Sequence, residues 1–427
     1  MSALSTWTKS ELEALQAQLT KELGLQKGNR LALDLTRGKP AADQLDLSAG
    51  LDDAIAGDYF AADGTDARNY GTLAGLPEAR ALGAELMDVS ADDVICWGNS
   101  SLTLMHTSVD LALHGRLWED GRRWSRAHPP KMLTPVPGYD RHFTICEAAD
   151  IEMVNVAMTE HGPDMQQATR LAAEDPDIKG IWCVPKFSNP TGCIYSPECV
   201  ALMADLPNKA AADDFVVMWD NAYAVHDFQF PKTPLSPILS AAREAGTENH
   251  VILFASTSKI TYAGGGLGFL ASGANVVARV TRRLGQLSIG PDKVNQLRHA
   301  RFLSGRLEEH MAAHAELIKP KFQAVEETLA SQLGELDIAS WSTPKGGYFV
   351  SLDTRPGLAS RVGELAASAG LNIPRPGATF PYGNDPEDRN LRIAPTFAAL
   401  SDVKAAMQLL TLCVKLATVE QQLVGQA

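Results

Sequence analysis

Cysteine is scarce and unpaired in pattern: six residues in 427 (Cys96, Cys146, Cys183, Cys193, Cys199, Cys413), with no CxxC pair and no spacing that suits a zinc site. Most lie in apolar stretches, which predicts buried free thiols in a reducing cytoplasm. No apolar run reaches the ~18 residues a membrane-spanning helix needs. The first residues show no basic segment followed by an apolar one, so no export signal is expected. Positive charge is in deficit, with 38 Lys and Arg against 51 Asp and Glu and a formal net charge of −13. That balance repels polyphosphate and acidic bilayers, so nucleic acid and membrane are poor partners. Internal repeats and low-complexity linkers are also missing. With 45% hydrophobic and 21% charged residues, the chain is long and apolar enough to bury a large core without staples.

What the chain does have is alternation. Short apolar runs at 94–97, 131–134, 151–156, 178–184, 215–219, 251–255 and 266–271 are mostly separated by helical patterns such as 102–113 and 199–206. Parallel strands require long crossovers, so this order predicts an α/β fold with a mostly parallel sheet flanked by helices. Ligands of such sheets sit beyond the carboxyl ends of the strands. Before that region, Thr8 and Glu11 at capping-box spacing start a helix with Leu12, Leu15, Leu19 and Leu23 on one face, and Gly24 is expected to stop it. Residues 28–74 read as largely irregular. After 291 come a long helix interrupted at Pro320, strands at 336–340, 348–352 and 391–394, a helix at 358–369 and a closing helix from 401, a smaller α+β domain. The expected division is a large domain over 50–305 and a small domain of 1–49 plus 306–427 with the N-terminal arm.

Three strand ends carry chemistry. Ser256-Thr-Ser-Lys259 closes one apolar run and precedes Tyr262-Ala-Gly-Gly-Gly-Leu-Gly268, a place where a desolvated lysine with small neighbours can form an imine with an aldehyde cofactor. Asp220-Asn-Ala-Tyr223 follows another run, and Asn189-Pro-Thr-Gly192 a third. Asp220 suits a protonated pyridine nitrogen, while Tyr223 and Asn189 suit a ring oxygen. Each motif alone has a plainer reading: a surface lysine before a glycine-rich turn, a helix cap, a turn.

Together, in this order and 31 and 39 residues apart at Asn189, Asp220 and Lys259, the motifs resemble the fold-type I, pyridoxal-phosphate-dependent class I aminotransferases. Gly38-Lys-Pro40, Asn69-Tyr-Gly71, Pro135-Val-Pro-Gly-Tyr139, Pro344-Lys-Gly-Gly-Tyr-Phe349 and Asn390-Leu-Arg-Ile393 extend the likeness over most of the chain. Leu35-Thr-Arg-Gly-Lys-Pro40, Gly98-Asn-Ser-Ser-Leu102 and Ser288-Ile-Gly-Pro-Asp-Lys-Val-Asn-Gln296 are most similar to the bacterial subgroup Ic aspartate aminotransferases.

The resemblance implies pyridoxal 5'-phosphate as cofactor and a ping-pong transfer from an amino acid, aspartate first, to 2-oxoglutarate. It makes Lys259 the Schiff-base lysine and proton carrier, Asp220 the partner of the ring nitrogen, Asn189 and Tyr223 partners of the ring oxygen, and Tyr139 the stacking aromatic. Asn99, Ser100 and Ser101, before the helix at 102, fit the phosphate, with Ser256 and Ser258 adding hydroxyls. Tyr70 is implied to reach the phosphate of a partner subunit, hence a homodimer. Arg392 would hold the substrate α-carboxylate in a bidentate pair, helped by the Gly38 N–H.

One departure stands out: most relatives place a phosphate-pairing arginine eight residues after the lysine, where this chain has Leu267. More hydroxyl contacts, or Lys293 from the partner, are the expected substitutes. Arg37, Lys39, Arg141, Lys186 and Arg298 are candidates for a distal carboxylate. The alternatives are an aromatic, alanine or 2-aminoadipate aminotransferase, or a cofactor-sensing regulatory module, for which the N-terminal segment leaves no winged-helix domain. His310 and His314 stand four apart, but His310-Met-Ala-Ala-His314 lacks the glutamate of HExxH, so solvent-facing or packed histidines are expected and no metal site.

Overall fold

The computed structural model describes residues 4–28, 32–118, 120–124 and 128–425. The chain forms two compact units: Ala42–Ser188 with Cys193–His314, and Met1–Ala41 with Asn189–Gly192 and Ala315–Ala427.

The larger unit is built on an eight-stranded sheet in the order Val94–Cys96, Gly268–Ala271, Val251–Ser256, Val216–Asp220, Ile178–Cys183, Lys131–Val136, Glu152–Thr159, Gly162–Pro163. The five strands from Val251–Ser256 to Glu152–Thr159 run parallel, and Gly268–Ala271 and Gly162–Pro163 pair antiparallel. Alternation along each central strand feeds two cores. Val217, Trp219, Leu253 and Ala255 join one, and Val216, Met218, Ile252 and Phe254 join the other. This two-sided burial explains why the strands read as unbroken apolar runs.

Crossover helices begin at side-chain caps. Ser196 Oγ accepts the Cys199 N–H at 3.1 Å ahead of Pro197–Lys209, and Asp164 Oδ1 accepts from Gln166 and Gln167 at 3.0 Å ahead of Met165–Glu174.

The smaller unit has an antiparallel sheet in the order Ala339–Trp341, Val350–Thr354, Asn390–Ile393, and a two-stranded parallel pair of Leu33–Asp34 with Leu371–Asn372. Helices Lys9–Gly28 and Ala359–Ser368 pack against Leu400–Gly425.

Two helix stops expected from sequence do not occur. The capping box forms, with Thr8 N–H donating to Glu11 Oε2 at 2.7 Å, but the helix runs past Gly24 to Gly28. One interior glycine costs about 1 kcal/mol, which packing against the closing helix offsets. Helix Leu307–Leu333 likewise continues through Pro320. Met311, Ala315, Ile318, Phe322, Val325, Leu329 and Leu333 are all buried, so the apolar stripe persists on both sides of the proline. Its burial outweighs the lost backbone bond.

Candidate active site

In the larger unit, Asp220 ends the strand Val216–Asp220, and Lys259 lies three residues beyond the neighbouring strand Val251–Ser256. Both are at carboxyl ends of parallel strands. Asp220 is buried at 2% exposure. Its Oδ2 is 3.0 Å from His142 Nε2, while Oδ1 is buried with no hydrogen-bond partner among the described residues. A carboxylate oxygen left that way is costly unless a donor completes it. The ring N–H of a pyridinium is such a donor, so the site fits pyridoxal phosphate on this chain's own evidence.

Lys259 is half-buried, and its Nζ lies 5.1 Å from the centroid of the Tyr223 ring. Desolvation lowers its pKa from the ordinary lysine range, against the pull of the Asp220 carboxylate. An amine held this way gives up its proton more readily than a surface lysine. Tyr139 precedes helix Asp140–Ala148 and meets the His142 ring edge-on, with centroids 5.0 Å apart. His142 in turn stacks on Trp182, with ring centroids 4.3 Å apart and planes 11° apart.

The loop after Val94–Cys96 adjoins the lysine turn. Ser258 Oγ donates to Asn99 O at 3.3 Å, and Asn99 Nδ2 donates to Gly264 O at 3.2 Å. Ser100 caps helix Ser101–Leu113 by accepting the Leu102 N–H at 3.2 Å, with Ser101 as the first helical residue. A side chain at Gly268 would strike the Ser100 and Trp97 carbonyls, so only glycine lets these backbones meet. Ser256 ends its strand beside them. The result is a helix N-terminus ringed by hydroxyls and an amide, a suitable anion site for a phosphate.

Leu267, where the resemblance implied an arginine, is buried in the core at 1% exposure. Its N–H donates to Thr257 Oγ1 at 2.8 Å. Lys293, the expected substitute from a partner, is engaged within its own chain. It is 2% exposed and donates to its own chain's Asn69 and Gly71 carbonyls, fixing the turn that presents Tyr70 at 78% exposure.

In the smaller unit, Arg392 Nη1 donates to Asn189 Oδ1 at 3.4 Å, and its guanidinium lies 5.0 Å from the Phe349 ring centroid. Asn189 Nδ2 is buried without a partner among the described residues, so this amide keeps a donor for another group. Gly38 is required to be small, because a Cβ there would overlap the Phe349 ring.

Of the distal-carboxylate candidates, Lys186 is committed elsewhere: it forms a buried ion pair with Asp227 at 2.7 Å and donates to Ala224 O at 3.0 Å. Arg298 donates to Asn295 Oδ1 at 2.8 Å and pairs with Asp52 at 3.5 Å. Arg37 lies 3.9 Å from Asp34, Lys39 sits over Phe397, and Arg141 is exposed. His142 and Trp182, which back Asp220 and Tyr139, went unnoticed in the sequence. The signal available was a histidine three residues after Tyr139 on a helix that starts at a strand's carboxyl end. His310 and His314 are packed, as expected, and no group of metal-binding side chains occurs among the described residues.

Residues 7–427 match the family model described as aspartate amino-transferase. A Mycolicibacterium smegmatis protein provisionally named an aminotransferase is 49% identical over 401 residues, covering 92% of this chain and 93% of the relative. The aspartate aminotransferase of Corynebacterium glutamicum is 42% identical over 402 residues, covering 92% of this chain and 91% of the relative. A solved aspartate transaminase structure from C. glutamicum aligns with a TM-score of 0.93 at 39% identity, over 98% of this chain and 99% of that one.

Proposed function

Because this chain belongs to the aspartate aminotransferase family of pyridoxal-phosphate-dependent enzymes, we propose that it moves the amino group of aspartate to 2-oxoglutarate, using Lys259 as cofactor tether and proton carrier. The observation that carries the site reading is Asp220: a buried carboxylate braced by His142 on one oxygen and open to a donor on the other. Aspartate itself is supported by the C. glutamicum relative of that name.

Pyridoxal phosphate, when bound, supplies an aldehyde that captures the amino group and a ring that accepts the electron pair left at the substrate's α-carbon. Asp220 Oδ1 would hold the ring nitrogen in its protonated form, with His142 Nε2 keeping the other oxygen from swinging away. Lys259 Nζ, depressed in basicity by desolvation, would accept the proton from the substrate's α-carbon and carry it. Tyr223 and Asn189 would serve the ring oxygen, and Tyr139 would cover the ring face. Asn99, Ser100, Ser101, Ser256 and Ser258, with the first N–H groups of helix Ser101–Leu113, would hold the phosphate. Arg392 takes the α-carboxylate through two parallel N–H groups, with the Gly38 N–H beside it.

The exposure of Tyr70 supports a homodimer. This tyrosine is 78% exposed on a turn whose Gly71 carbonyl packs on Gly290, next to Ile289 at 64% and Leu287 at 57% exposure. Such a patch suits a second copy of the chain, which would bring Tyr70 to its partner's phosphate. The reading also puts the enzyme in the cytoplasm, supported by six cysteines with no disulfide.

Steady-state rates over a panel of amino donors with 2-oxoglutarate test the substrate. Aspartate and glutamate are expected to exceed alanine and phenylalanine in kcat/KM by at least about tenfold, or about 1.4 kcal/mol. Arg392→Ala should depress all four together, because all four share the α-carboxylate. Alanine or phenylalanine matching aspartate would reject the dicarboxylate reading.

A further inference from the structure

The turn carrying Lys259 lies between the strands Val251–Ser256 and Gly268–Ala271 and has no regular structure of its own. Thr257 ties its ends, with N–H donating to Leu267 O at 2.9 Å and Oγ1 accepting the Leu267 N–H at 2.8 Å. Ile260 and Thr261 N–H both donate back to Thr257 O, at 2.9 and 2.8 Å.

The carbonyls of Lys259 and Ile260 are met by histidines. His226 Nε2 is 3.2 Å from Lys259 O. His310 Nε2 and His314 Nε2 are 2.7 and 2.9 Å from Ile260 O. A fourth, His299, meets the Thr261 hydroxyl through Nε2 at 2.9 Å. None of the four is more than 9% exposed.

The pattern of donors assigns the tautomers. A carbonyl carries no proton, so His226, His310 and His314 hold theirs on Nε2. His314 Nδ1 is then an acceptor, and it lies 3.3 Å from Nε2 of the buried Gln44 amide, a donor. His299 is the reverse: Nδ1 donates to Asn295 O at 2.8 Å, and Nε2 accepts the Thr261 proton. Burial lowers the pKa of all four, His226 to about 3 and His299 and His314 to about 4, so they act as neutral donors and acceptors.

We propose that His226, His310 and His314 are positioning residues that clamp the Lys259 and Ile260 carbonyls, holding the lysine backbone still while Nζ alone moves between cofactor and substrate proton. The proposal rests on Lys259 being the cofactor-bound lysine. A lysine side chain has four rotatable bonds, so where Nζ can reach is set by where its Cα is held. A misplacement of about 1 Å at a reacting group can lower a rate a hundredfold. Three imidazole donors on two successive carbonyls add an external constraint to the turn's own hydrogen bonds. The histidine pair at 310 and 314 thus has a use that needs no metal.

The test compares His310→Leu and His314→Leu with His310→Gln and His314→Gln in the holoenzyme, since glutamine offers an amide donor of similar reach. The leucine variants are expected to lose at least about tenfold in kcat with KM for the amino donor within about twofold, and to exchange amide hydrogens faster across 257–261. The glutamine variants should recover most of both. Borohydride reduction followed by peptide mapping checks the premise separately: the label must fall on Lys259 in the wild type and in each variant. Label on another residue overturns the reading of Lys259. Label on Lys259 with unchanged kcat and exchange in the leucine variants overturns the clamp and leaves that reading standing. If leucine prevents folding, the glutamine variants decide. Near wild-type kcat and exchange support donor clamping, and a leucine-like loss in a folded glutamine variant refutes it.

Discussion

His142 places Nε2 3.0 Å from Asp220 Oδ2 while lying flat on Trp182, so one oxygen of a buried carboxylate is held and the other has no donor among the described residues. Asp220→Asn keeps the size of the side chain and removes the charge that stabilises a protonated ring. A kcat loss of about a hundredfold or more is expected with cofactor still bound, the magnitude typical of removing one electrostatic partner from a dry site. His142→Phe should keep the stack on Trp182 and lose less. Wild-type kcat in Asp220→Asn would take the aspartate out of the site.

Lys259 offers a prediction with two separable readouts. Lys259→Met should abolish transamination, because no other group tethers the cofactor and carries the proton. It should not destabilise the cofactor-free protein. The folded pKa of this lysine lies below its unfolded value, so throughout the range where the unfolded chain is protonated the ammonium opposes folding. An apolar stem in its place should leave Tm equal or higher. Turnover in the variant, or a large fall in Tm, would contradict the assignment.

The shared site can be tested by mixing. Lys259→Ala and a Tyr70→Phe variant of low activity should together regain activity on subunit exchange, because one of the two sites in each heterodimer then carries neither lesion. Demonstrated exchange without recovery would mean each chain builds its own site.

Much of this was readable in the sequence because it is local. Strand ends at Asp220 and Ser256 announce themselves by the unbroken apolar runs that precede them, and the three motifs keep their order whatever the intervening loops do. What escaped is long-range. His142 meets Asp220 across 78 residues, and His310 meets the Ile260 carbonyl across 50. Nothing near Lys186 in the chain announces its ion pair with Asp227, 41 residues away, and nothing near Lys293 announces the Asn69 and Gly71 carbonyls it meets, 224 and 222 residues away. Pro320 and Gly24 misled for the related reason that propensity is a local quantity, while the burial that overrides it comes from distant partners.

Acid should expose the histidine cluster. Three buried rings, His226 at about 3 and His299 and His314 at about 4, have folded pKa values below the ordinary 6.5, with desolvation the main cause in each. The charges around them push in both directions. Lys259 and Lys186 disfavour protonation of His226, His310 disfavours it at His314, and Arg298 disfavours it at His299, while Asp43 and Asp292 favour it at His314 and His299. In each case the unfolded state binds the proton first, so stability rises with pH through this window. The contribution is therefore complete above pH 6.5 and is lost as pH falls toward 4. At pH 5 the loss per ring reaches up to about 2 kcal/mol, 1.5 units at about 1.4 kcal/mol each. Tm should fall between pH 6.5 and 5, and His314→Gln should flatten that fall because glutamine does not titrate. Melting curves for wild type and variant across this range check it, and parallel pH profiles would show that His314 is not among the groups responsible.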